Sequence, residues 1–216
     1  MPGTLSPSRT GEGGRPPVEL PPPGGGDGQS NNSEEHGARR KTSLIGLAVM
    51  MTASLITFGA LAFALIVRRQ LSHDWVKMPL PWILWPNTAV LLTSSIFLDA
   101  ARRLLRSHRV AFNWFWTVGT VLGAGFLFGQ IAAWRQLNRA GLFVAGNPSN
   151  GFFYILTWTH AAHAVVGLGA LLWVAQAALR FKLGPARRTF VDVSVVFWHF
   201  LDVLWIGLML LLIYRG

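Results

Sequence analysis

Beyond residue 41 the chain alternates between long apolar runs and short connectors that carry most of the arginines. Five apolar runs can be read from the sequence, at about residues 44–67, 82–101, 115–134, 152–179 and 190–213. At 1.5 Å per residue the first of them spans roughly 36 Å, enough to cross a hydrocarbon core of about 30 Å. Because a helix satisfies its own backbone hydrogen bonds, these runs predict an all-α, polytopic membrane protein with five transmembrane helices.

Residues 1–41 have a different composition, with Gly, Pro and Ser dominating stretches such as "RPPVELPPPGGGDGQSNN". This segment lacks the apolar residues that a core needs, so we expect a disordered N-terminal tail. The predicted organisation is a tail at residues 1–41, followed by one five-helix transmembrane domain at residues 42–216.

Composition limits the chemistry that the chain can carry. Of the 216 residues 51% are hydrophobic and 13% are charged, which does not suit a soluble surface. There is no cysteine, and this excludes disulfides, thiolate metal sites and iron–sulfur clusters. The net charge of +10 comes from the connectors rather than from a separate basic face, so we expect no nucleic-acid partner.

Arginine and lysine also predict the orientation in the membrane. The connectors on the side of the N-terminal tail hold more of these residues than the connectors on the opposite side. Since positive connectors stay in the cytoplasm, we expect the N-terminus inside and Gly216 outside. Four arginines of the inner connectors are candidates for contacts with anionic lipid head groups: Arg102, Arg103, Arg187 and Arg188.

Four ionisable side chains fall inside the last two apolar runs. His160 and His163 lie in "FFYILTWTHAAHAVVG", and His199 and Asp202 lie in "FWHFLDVLW". Each pair is spaced i, i+3 and therefore occupies one face of its helix. Two antiparallel helices joined by a short connector would bring the pairs to similar depths. Because isolated ionisable groups in lipid cost several kcal/mol, we predict one structural polar cluster that hydrogen-bonds helix to helix.

Three other roles remain open for these four residues. His and Asp inside membranes also serve proton or ion paths, histidines on facing helices can ligate haem iron, and imidazoles can bind a metal ion without cysteine. Elsewhere the sequence offers no nucleophile with a base, no carboxylate pair and no phosphate-binding loop. We therefore expect no catalytic residue in this chain, and the structural interpretation of the cluster predicts no bound cofactor or metal.

Four segments of residues 42–216 resemble the subunit III family of cytochrome oxidases, in its five-helix form. They are "WPNTAVLLTSSIFLDAARR", "TVLGAGFLFGQIAAW", "FFYILTWTHAAHAVVGLGAL" and "FWHFLDVLWIGLMLLLIY", and their order is that of the family. The match departs from the family pattern at Ala53 and Ala133, where the family often carries glutamate.

The resemblance implies a non-catalytic subunit of a haem-copper terminal oxidase in aerobic respiration, a complex that reduces oxygen and pumps protons. Haem and copper are then expected in partner subunits, with the chain packed on catalytic subunit I and accompanied by subunit II. The resemblance also implies bound phospholipids, support of assembly and proton uptake, and a bacterial inner-membrane location. Cytochrome c and quinol both stay open as electron donors. The alternatives are a subunit-III-like protein of nitric oxide reductase, a b-type membrane cytochrome and a small transporter.

Overall fold

The computed structural model describes Gly3 and residues 27–71, 80–105, 108–179 and 185–215. Side chains within the helices are described for residues 41–71, 84–104, 109–139, 148–178 and 189–214. The chain divides into two compact units, residues 1–35 and residues 36–216. The second unit contains the apolar helices.

The described residues form five helices and no strand, which confirms the all-α prediction. The helices are α1 (Asp27–Leu71), α2 (Leu84–Leu104), α3 (Arg109–Arg139), α4 (Pro148–Leu179) and α5 (Pro185–Arg215). Four of them, α1, α3, α4 and α5, contain segments long and apolar enough to cross a membrane. The polytopic membrane architecture is therefore confirmed.

Helix α2 is the least apolar of the predicted spans. Its 21 residues would rise roughly 32 Å and could still cross the hydrocarbon core. Several of its polar side chains are buried inside the helix bundle, namely Asn87, Ser94 and Ser95. The polarity of α2 is thus directed towards other helices, where hydrogen-bond partners replace water.

Helix α1 begins at Asp27 and therefore starts within the segment that the sequence assigns to the tail. The Pro- and Gly-rich run ends at Gly26, and no proline follows before Pro79 to interrupt a helix. The rest of the predicted tail, apart from Gly3, lies outside the described residues. For that part the disordered tail stays a prediction.

Helices α3 and α4 run antiparallel beside each other. The indole nitrogen of Trp116 donates to the Leu171 carbonyl oxygen at 3.0 Å, and that of Trp134 donates to Thr157 Oγ1 at 3.1 Å. The connection between the helices turns at Gly141, whose φ of 75° lies in the left-handed region that glycine tolerates without a steric penalty.

Glycines of α3 permit its close contact with α2 and α5. A Cβ atom on Gly119 would lie 2.8 Å from Leu98 Cγ, and one on Gly123 would lie 2.7 Å from Trp198 Cζ2. A Cβ atom on Gly129 would overlap the side-chain amide of Asn87. Small residues at helix contacts let the backbones of α2 and α3 approach closely, while Gly123 leaves space for the Trp198 ring of α5.

Replacing Gly129 by alanine should destabilise the bundle by about 1–3 kcal/mol, because overpacking displaces neighbouring side chains. The added Cβ would lie 2.6 Å from Asn87 Cγ. Gly125→Ala is the matched control, since its Cβ would make an ordinary contact of 3.8 Å with Val90 Cγ1. The free energy of unfolding, measured by denaturant titration in detergent, compares the two variants. Equal stabilities would contradict the close approach of α3 to Asn87.

Candidate functional site

The polar side of α2 is joined to α3 by buried hydrogen bonds. Asn87 Nδ2 donates to the Phe126 carbonyl oxygen at 3.1 Å and lies 3.5 Å from Gln130 Oε1. Further along α2, Ser94 Oγ donates to the Gly119 carbonyl oxygen at 2.8 Å. Two of these bonds are accepted by backbone carbonyl oxygens of α3. Side chains of α2 therefore hold the two helices together without a polar side chain from α3.

The same side of α2 contacts α5 through two side-chain pairs. Trp205 Nε1 donates to Thr88 Oγ1 at 2.9 Å. Ser95 Oγ donates to Asp202 Oδ2, and His199 Nδ1 lies 3.5 Å from that same carboxylate oxygen. Asp202 is buried while the His199 side chain is 42% exposed. The carboxylate therefore has a hydroxyl donor on a neighbouring helix and an imidazole one turn earlier on its own helix.

His160 occupies a fully buried aromatic pocket. Its ring centroid lies 4.9 Å from that of Trp205, 5.8 Å from Phe126 and 6.3 Å from Phe58. Neither ring nitrogen of His160 has a hydrogen-bond partner among the described residues. The three aromatic rings belong to α5, α3 and α1, so the imidazole stands where four helices meet.

His163, one turn further along α4, is partly buried. Its Nδ1 lies 2.8 Å from the Thr159 carbonyl oxygen of its own helix. Its ring centroid is 5.4 Å from that of Phe58, the residue that also contacts His160. The contact made by His163 with another helix is thus aromatic packing against α1.

The structure divides the four predicted cluster residues into two groups. His199 and Asp202 lie together with Ser95, and His160 and His163 lie together against α1. Among the described residues no hydrogen bond connects the two groups. The Trp205 ring contacts His160 and lies one turn beyond Asp202 on α5. The role of all four as one hydrogen-bonded cluster stays a prediction.

Sequence reasoning missed the partners that α2 supplies to this site. Ser95 and Thr88 of α2 bond to Asp202 and Trp205 of α5, yet the prediction considered only the helices that carry histidines. A signal was present, because Asn87, Ser94 and Ser95 are spaced i, i+7 and i+8 and so share one helix face.

Two of the four arginines predicted to contact lipid lie in ion pairs at the end of α2. Arg102 Nε donates to Asp192 Oδ1 at 2.7 Å, and Arg103 Nη2 donates to Asp99 Oδ2 at 2.7 Å. Both guanidinium groups are partly exposed, so these pairs contribute at most about 1 kcal/mol each. The other two side chains lie outside the described residues: Arg187 and Arg188.

Histidines and carboxylates of the described residues do not assemble into a group of three or more that could hold a metal ion. The two α4 histidines offer imidazole nitrogens on one helix face, with the aromatic ring of Phe58 beside them. The α5 pair offers one imidazole and one carboxylate, already in contact with each other. Chemically, the arrangement is suited to holding helices together.

The sequence of the chain matches a known protein family over the part that forms these contacts. The protein-family model described as cytochrome c oxidase subunit III matches residues 71–216, which contain all of α2 to α5. The chain belongs to the cytochrome c oxidase subunit III family. The resemblance noted in the sequence is thereby confirmed, and every hydrogen bond of the polar side of α2 lies within the matched part.

Relatives in this family include proteins of two kinds of oxidase. The chain is 28% identical over 178 residues to cytochrome c oxidase subunit 3 of Thermostichus vulcanus, covering 78% of this chain and 85% of that protein. It is 25% identical over 176 residues to quinol oxidase subunit 3 of Bacillus subtilis, covering 77% of this chain and 83% of that protein. The subunit III similarity thus extends over most of the length of both relatives.

Ser95→Ala should lower the free energy of unfolding by about 1–3 kcal/mol, because the buried Asp202 carboxylate loses its donor from α2. Thr93→Ala is the matched control on the same helix. Its hydroxyl is exposed and donates to the Ala89 carbonyl oxygen of its own helix at 2.8 Å. Unfolding titrations in detergent compare the two, and a Ser95→Ala variant as stable as the control would show that the Ser95–Asp202 hydrogen bond adds no stability.

Proposed function

We propose that the chain is the non-catalytic subunit III of a haem-copper terminal oxidase in aerobic respiratory electron transport. The observation that carries this proposal is the family match over residues 71–216. The geometry supports it, because Asn87, Ser94 and Thr88 of α2 hydrogen-bond to neighbouring helices and so hold the bundle together. The haem and copper of such a complex would reside in its catalytic subunits.

The partners that follow from this role are catalytic subunit I and subunit II. One relative is named for cytochrome c oxidase and another for quinol oxidase, so the family serves both electron donors. The chain would support assembly of the complex and proton uptake by the catalytic subunit. Large apolar side chains on the outer faces of several helices, such as Ile56, Phe128 and Val165, give it surface to place against lipid or neighbouring subunits.

The orientation that we propose places the N-terminus in the cytoplasm and the C-terminus outside, in a bacterial inner membrane. In this orientation the positive pair Arg68 and Arg69 lies on the outer side, against the usual charge bias. In the structure Arg69 Nη1 donates to the Tyr214 carbonyl oxygen at 3.0 Å, at the carboxyl end of α5. A cation at that position satisfies an otherwise unpaired helix carbonyl, which supplies a structural reason for its presence.

Phospholipids are the other partner that we propose. Arg103 is 79% exposed despite its ion pair, and Arg102 is 40% exposed, so both guanidinium groups retain donors for a phosphate group. Their position in the last turn of α2 corresponds to the predicted inner surface, where anionic head groups attract arginine.

Purification of the native complex in mild detergent tests the proposed function directly. We expect the chain to co-purify with a haem- and copper-containing catalytic subunit, and the separated chain to show no Soret absorption. A Soret band that belongs to the separated chain would instead establish a b-type cytochrome, with His160 as the first ligand to examine. Purification without any haem protein would overturn the assignment to an oxidase.

Replacing His199 by leucine should weaken retention of the chain in the complex but leave the haem spectrum of the residual complex unchanged. The reason is that His199 contacts Asp202 within the helix bundle and is not expected to ligate haem. His108→Leu serves as the control, since His108 is exposed at the start of α3. The ratio of the chain to haem and the visible spectrum are the two measurements. A shifted haem spectrum in the His199 variant would contradict a purely structural role.

A further inference from the structure

A polar cleft opens between α2 and α5 on the surface of the bundle. Its volume is about 570 Å³. The residues that line it are Leu92, Ser95, Ile96, Asp99, His199 and Asp202. Leu92 and Ile96 are exposed at its rim, while Ser95 and Asp202 are buried. The cleft thus combines an apolar rim with a polar floor.

The exposed side chain of His199 is energetically unfavourable if this surface faces lipid. The other exposed residues along the same stripe of α5 are apolar: Val196, Val203, Ile206 and Leu210. A half-exposed imidazole in the middle of such a stripe would face hydrocarbon, which costs free energy unless a polar partner meets it. Ionisable residues within membrane spans usually face protein, and here the facing protein is not part of the described chain.

The carboxylate on the floor of the cleft also has an unused acceptor. Asp202 Oδ2 accepts from Ser95 and lies 3.5 Å from His199 Nδ1. Asp202 Oδ1 is buried and has no hydrogen-bond partner among the described residues. A buried oxygen without a donor costs about 1–3 kcal/mol, so a donor entering the cleft would gain a favourable contact there.

Depth along α5 decides which kind of group can enter. Asp202 lies about 20 Å from Arg215 and about 26 Å from Pro185 along the helix axis, at 1.5 Å per residue. In a hydrocarbon core of about 30 Å this position is far from both head-group layers. A phospholipid head group does not reach it, and an acyl chain offers no hydrogen-bond donor to His199 or Asp202.

We propose that the α2–α5 cleft receives a membrane-spanning helix of the catalytic subunit, which donates a hydrogen bond from a polar side chain to Asp202 or His199. This inference rests on the proposed function, because it requires an oxidase complex. The apolar rim at Leu92 and Ile96 packs against the partner helix, and the polar floor selects its register. Assembly of the complex would thereby supply the hydrogen-bond donor that the polar floor of the cleft lacks in the described chain.

A photo-crosslinking amino acid, p-benzoylphenylalanine, in place of Ile96 tests the proposal in membranes that contain the whole complex. The same substitution at Ile56 of α1 is the matched control, because the two isoleucines are 68% and 67% exposed. We expect position 96 to form a crosslinked product with the haem-containing subunit in clearly higher yield than position 56. The crosslinked peptide of that subunit should come from a membrane-spanning helix that contains a hydrogen-bond donor.

A second pair of variants measures docking without a crosslink. Ile96→Trp should obstruct the cleft and lower the ratio of the chain to haem severalfold, whereas Ile56→Trp should leave the ratio near that of the unmodified chain. Crosslinks from position 96 to lipid alone, together with an unchanged ratio for Ile96→Trp, would overturn the proposal. If haem still co-purifies in that case, the oxidase assignment stands and only the docking surface is wrong.

Discussion

Hydrocarbon offers no hydrogen bonds, so the polar side chains in the middle of α2 must find their partners in protein, and this requirement fixes the centre of the fold. Ser94 reaches the Gly119 carbonyl on α3, while its neighbour Ser95 reaches Asp202 on α5. Two adjacent residues thereby hold α2 against two different helices. Rotating α2 by a few tens of degrees would break both contacts and expose hydroxyl groups to lipid, a cost that no apolar packing in the same interface would recover.

The glycines of α3 and the polar side of α2 are parts of one arrangement. Gly129 leaves the space that the Asn87 amide fills, and Asn87 then bonds to the Phe126 carbonyl. Gly123 leaves space for the Trp198 ring of α5. Helix α1 is attached differently, through large side chains such as Phe58 rather than through close backbone contact. The contacts of α2 to α5 therefore form the firmly packed part of the described bundle.

Long apolar runs made the helices predictable, because a membrane-spanning helix needs little more than length and hydropathy. The start of α1 at Asp27 could not be predicted in this way, since polar residues extend a helix without leaving an apolar pattern. The i, i+3 spacing correctly brought His199 and Asp202 to one face. Spacing does not give the rotation of one helix relative to another, however, so it could not show that His160 faces aromatic rings. Nor does chain order show that α2 lies beside α5, which is why Ser95 was overlooked.

Ala53 and Ala133, where the resemblance to the family leads us to expect glutamate, bear on how this subunit could assist proton uptake. Ala133 is fully buried on α3, beside the Trp134 that bonds to Thr157 of α4, and Ala53 is exposed on α1. A carboxylate at position 133 would need a buried partner, and a carboxylate at position 53 would lie on the exposed surface of α1. Among the described residues, Asp202 is a carboxylate deep within a membrane-spanning helix, and it lines the α2–α5 cleft. A proton-related role of Asp202 would therefore operate at the surface where we expect the catalytic subunit to bind.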